Sequence, residues 1–137
     1  MTPPPSRNTL NGAAWIFVIV AAVVGLQGVL DGIPLHGFDL TWPDHARFHL
    51  TWATASKVGF CLTIVVVALI PFRRAERWSW WVLLAFVVLG NYSLIPAAIW
   101  QGSGPRGGTE IPIGIAFTAL FVALAMSWRV GFSSRAD

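Results

Sequence analysis

The chain has 137 residues, 55% of them hydrophobic and 11% charged, with a net charge of +3. Soluble domains carry roughly 25% charged residues, and so small and dispersed a positive charge leaves no footprint for nucleic acid. The single cysteine, Cys61, excludes an intrachain disulfide, a two-cysteine redox motif and a thiolate metal cage.

The apolar residues fall into four long runs, each near the roughly 20 residues that cross a bilayer as a helix. A soluble bundle would need a polar stripe on each helix, and the runs have none. In lipid the backbone must satisfy its own hydrogen bonds, so the runs are expected to be helices. The expected fold is therefore an all-α integral membrane protein, a bundle of four transmembrane helices forming one domain over residues 13–130. Tails are expected at 1–12 and 131–137.

Residues 1–12 are polar and proline-rich, with Pro3, Pro4, Pro5 and Arg7. The first span is expected at 13–30. A basic start before an apolar run also describes a signal peptide, but no small-residue cleavage site follows, which favours a span. Ala21, Gly25 and Gly28 give this helix small residues at which a neighbour can approach closely. Gly32, Pro34 and Gly37 then mark a connection.

The densest stretch of chemistry follows: Trp42, Pro43, Asp44, His45, Ala46, Arg47, Phe48 and His49. Pro43 suits the first turn of a helix, and Asp44 suits its positive N-terminal end. This second helix is expected over 43–70, about 42 Å at 1.5 Å per residue. That exceeds the roughly 30 Å hydrocarbon core. Its first turns, with Asp44, His45 and Arg47, are expected to project into the headgroup layer, with Lys57 well inside. Pro71 is expected to end the helix.

Arg73, Arg74 and Arg77 form a basic turn beside Trp78, Trp80 and Trp81, an arrangement expected of an aromatic belt. Trp15, Trp42, Trp100 and Trp128 are read the same way. The third span is expected at 78–100, with Pro96 kinking it. Residues 101–110 form a glycine-rich loop without the Gly-Lys-Ser/Thr ending or preceding strand of a P-loop. The fourth span is expected at 111–128, with Gly114, Ala119 and Ala123 as small packing positions.

With four spans, Arg7, Arg73, Arg74, Arg77, Arg129 and Arg135 share one side, and Arg47 and Arg106 the other. The positive-inside rule then makes both termini and the arginine turn cytoplasmic, in an inner (plasma) membrane. On this topology Gln27, Asp31, His45, His49, Asn91, Tyr92, Ser93, Gln101 and Glu110 lie near the outer leaflet. Polar groups in spans usually face the bundle interior or a water-filled cavity. The expectation is a polar pocket open outward and lined by Asp31, Asp44, His45, His49, Trp52, Lys57, Asn91 and Tyr92. Its ligand would be a small lipophilic or amphipathic molecule such as a lipid, isoprenoid or quinone.

Lys57 is the costliest of these residues: a lysine at mid-span costs about 2.5–3.5 kcal/mol on insertion scales. An acid such as Asp31 or Glu110, or an anionic ligand, would offset that. Its place eight residues past His49 is expected to put it on the broad face of the histidines. If the protein is an enzyme, His45 or His49 would move a proton and Lys57 would hold an anion. His45 and His49, at i and i+4, share a face and could bind a metal. A closed site needs further ligands, however, from among His36, Asp31, Asp39, Asp44 or Glu110. The metal reading is the weaker one here, and no metal or other cofactor is assigned.

Four short-looped spans in this length resemble the small bacterial membrane proteins of the DoxX-like group. They also resemble the four-helix fold of emopamil-binding and sigma-2-type sterol proteins, in which acids and histidines near one end surround a lipophilic ligand. The resemblance lies in span count and one-sided polarity, and it assigns no residue a role. Two other functions fit the same sequence. One is an accessory subunit of a larger membrane complex that uses the small-residue faces as interfaces. The other is a transporter, which with so few spans would work as a homo-oligomer.

Overall fold

The computed structural model describes residues 7–27, 29–30, 33–34, 38–92 and 110–132. It contains four α-helices and, among the described residues, no strand. They are α1 (Arg7–Gln27), α2 (Asp44–Val67), α3 (Arg77–Tyr92) and α4 (Glu110–Ser127). Wide π turns, Ala68–Phe72 and Trp128–Phe132, extend α2 and α4. Two helices are long and apolar enough to cross a membrane, Arg7–Gln27 and Asp44–Phe72.

α1 packs against both α2 and α4, and α3 packs against α4 and the end of α2, so the four helices close into a ring. The beginnings of α1 and α3 lie at the same end as the finishes of α2 and α4. Arg73 Nε donates to Asn11 Oδ1 at 2.7 Å, and Arg77 Nη2 donates to the Phe132 carbonyl at 3.2 Å.

The core is gathered at that end. Leu10, Ala13, Ala14 and Phe17 of α1 meet Val67, Ala68 and Phe72 after α2. Leu83 and Val87 of α3 and Leu120, Ala123, Leu124 and Phe132 complete the cluster. A continuous aromatic chain runs through it. Phe17 meets Phe72 at 6.0 Å, Phe72 meets Phe132 at 5.6 Å, and Phe132 stacks on Trp128, which meets Trp80 at 4.7 Å. Trp80 Nε1 also donates to the Leu124 carbonyl at 3.0 Å. Trp80 and Trp128 are thus half-buried helix-to-helix contacts, whereas Trp15, Trp78 and Trp81 are exposed, as belt residues would be.

Several boundaries differ from expectation. α1 begins at Arg7, inside the stretch read as a tail, because Leu10 belongs to the core and Asn11 holds Arg73. Pro71 does not end the second helix but lies inside its last wide turn. The stop comes at Ala75. Glu76 N–H donates to the Pro71 carbonyl at 3.1 Å and Ala75 N–H to the Phe72 carbonyl at 3.0 Å, with Ala75 at φ 58°. This is a Schellman cap, with alanine where glycine is usual. Phe132, expected in the C-terminal tail, is fully buried. Pro96 and the glycine-rich loop lie outside the described residues.

Candidate functional site

The approach to α2 is set by Asp39, whose Oδ1 accepts from Thr41 N–H at 2.9 Å and from Thr41 Oγ1 at 2.7 Å. Such a side-chain turn pins the chain just before a helix. Pro43 stands at the cap position of α2, and its carbonyl accepts from Arg47 N–H at 3.1 Å. Asp44 occupies the first turn, where a carboxylate complements the helix dipole. It forms an ion pair with Arg47 Nη2.

From there α2 presents two distinct faces. Arg47, Leu50, Thr54, Lys57 and Cys61 alternate three and four residues apart, the spacing of a helix seam. All five are buried or half-buried. Thr54 and Cys61 are the buried members, and Cys61 is seated against α1, where a Cβ built on Gly25 would stand 3.4 Å from Cys61 Cβ. The Arg47 side chain is only 25% exposed against 93% for its partner Asp44. Its Nε is buried with no hydrogen-bond partner among the described residues. No carboxylate among the described residues pairs with Lys57, since the sole ion pair among them is Asp44–Arg47.

His45, Phe48, His49 and Trp52 occupy the other, exposed face. His45 Nε2 and His49 Nε2 lie 3.1 Å apart, with the rings nearly perpendicular at 85°. His49 in turn neighbours Phe48 at 5.6 Å and Trp52 at 6.3 Å between ring centroids.

The structure therefore corrects the expectation that Lys57 and the histidines share a face. Eight residues at 3.6 per turn leave a rotation of about 80°. Lys57 falls on the side of the buried Thr54 and Cys61, and His49 on the exposed side. Trp52 likewise lies outside any α1–α2 crevice, 63% exposed. Of the other expected site residues, Asp31 lies outside the described residues. Asn91 and Tyr92 close α3, with side chains outside them, as is that of Glu110 at the start of α4. Gln27, at the end of α1, is exposed.

Sequence reasoning did not anticipate that the Arg47 side chain is largely covered. The signal was available in the unbroken three-four spacing from Arg47 through Leu50, Thr54 and Lys57 to Cys61. It was masked because two of the five positions are cationic and one is a threonine.

Comparison with family models, with curated proteins and with solved structures returns no match.

Proposed function

We propose that this is a four-span inner-membrane protein with cytoplasmic termini, and that it binds a lipophilic or amphipathic ligand with an anionic head against the α1-facing side of α2. The observation that carries this is Lys57. It is half-buried between Thr54 and Cys61 on the face turned to α1, with no carboxylate partner among the described residues. Leaving a cation unpaired at such depth is costly, and an anionic headgroup removes the cost. The unpartnered Arg47 Nε, on the same face nearer the end of the bundle, is a second donor for the same ligand. The positive-inside distribution supports the orientation. Span count and one-sided polarity keep the resemblance to the DoxX-like and emopamil-binding groups in view.

Of the small residues that the accessory-subunit reading relies on, Ala21 and Gly25 of α1 and Ala123 of α4 are buried in this protein's own packing, whereas Gly114 is exposed and remains free for an interface.

Native mass spectrometry of the protein purified in mild detergent tests the proposal. The expected result is a retained anionic amphiphile whose occupancy falls several-fold in Lys57→Met. A protein that purifies folded and bare, or a Lys57→Met variant with undiminished occupancy, rejects it. Co-purification with a partner protein in fixed ratio would point to the accessory subunit.

A further inference from the structure

The exposed face of α2 carries chemistry that the proposed ligand site does not use. His45 and His49 turn their Nε2 atoms toward each other at 3.1 Å. Two nitrogens each about 2.0–2.1 Å from one metal, subtending about 90–110° at it, stand about 2.9–3.4 Å apart. The observed separation falls in that interval. The pair is held on one well-formed helix one turn apart, so little freedom is lost when both rings bind a common ion. Terminal imidazole torsions are broad, so a small rotation brings both lone pairs onto one point.

We infer that His45 and His49 form a bidentate chelate for a late first-row divalent cation, with copper(II) bound most tightly. Imidazole suits such ions, and the affinity order along the row peaks at copper. In the metal-free pair one Nε2 carries the hydrogen that the other accepts. On binding, the donor ring shifts its proton to Nδ1 and both Nε2 lone pairs face the metal. Among the described residues no group of three His, Cys, Asp or Glu side chains could hold a metal. Asp44 is committed to Arg47. Among the described residues the chelate is therefore two imidazoles alone, with the remaining coordination positions open to water, as in an exchangeable site.

The test uses the full chain in detergent, titrated separately with copper(II), nickel(II) and zinc(II). One copper ion per chain is expected, bound more tightly than the other two, with an electron paramagnetic resonance spectrum showing coupling to two imidazole nitrogens. His45→Ala or His49→Ala should weaken copper binding by about tenfold or more, because the second contact is no longer intramolecular. The double variant His49→Ala/Thr51→His keeps the number of histidines but places the second ring about 120° around the helix. It should bind as weakly as His49→Ala, with an unchanged helical circular dichroism spectrum. Full copper affinity in His45→Ala/His49→Ala, or in His49→Ala/Thr51→His, overturns the inference. So does a parent spectrum with a single coupled nitrogen.

Discussion

The two ends of the helix ring are held in different ways. At the arginine end, hydrogen bonds reach across the chain. Arg73 to Asn11, Arg77 to Phe132 and Trp80 to Leu124 each join separate elements, and an aromatic chain from Phe17 to Trp80 fills the space between them. At the end where α2 begins, the hydrogen bonds described are local. Thr41 bonds Asp39, Arg47 bonds Asp44, His49 bonds His45, and Thr51 bonds the Arg47 carbonyl. No residue from Asp44 to Ala53 is buried. Among the described residues, side-chain hydrogen bonds between separate elements of the bundle are found at the arginine end.

The sharpest way to break this comparison is to weaken each end in turn. Phe72 is fully buried in the aromatic chain, and Phe72→Ala should cost about 3–5 kcal/mol. Trp52→Ala, on the exposed face of α2, should change stability by no more than about 0.5 kcal/mol. Thermal unfolding in a common detergent compares them, and similar losses from both would abolish the distinction.

Gly25 probes where the closed region stops. An added Cβ would meet Cys61 Cβ at 3.4 Å, ordinary contact, so Gly25→Ala should be tolerated. Gly25→Leu overfills the α1–α2 contact and should cost about 1–3 kcal/mol. Leucine and alanine variants of equal stability would mean that α1 and α2 are not closely packed at this depth. The one substitution expected to stabilise lies at the turn after α2. Ala75 adopts a left-handed conformation at φ 58°, which costs a residue with a Cβ roughly 1–2 kcal/mol. Ala75→Gly should therefore raise stability by up to about 1 kcal/mol, partly offset by the greater freedom of glycine in the unfolded chain. A lower melting temperature in that variant would show that the cap is not limited by backbone strain.

The helical class, the order of four helices and the arginine turn were legible in the sequence because they rest on local properties. Long apolar runs dictate helix, and clustered arginines with proline and glycine mark the connections. The separation of faces on α2 was less legible. Arg47 and Lys57 look like misplaced charges until they are seen to share the side of α2 that carries the buried Thr54 and Cys61, and His45 and His49 look like pocket residues until they are seen on its exposed side. Pro71 read as a stop, yet a wide turn accommodates it, and the left-handed Ala75 makes the actual stop. Trp80 and Trp128 read as belt residues because composition cannot distinguish a ring facing lipid from one facing another helix. What residue type and spacing determined by themselves is that this chain forms apolar helices with a polar, histidine-rich start to the second. Which of the described polar groups is covered, and which aromatic rings join one helix to another, depended on the neighbours each residue meets in space, and only the tertiary structure decided that.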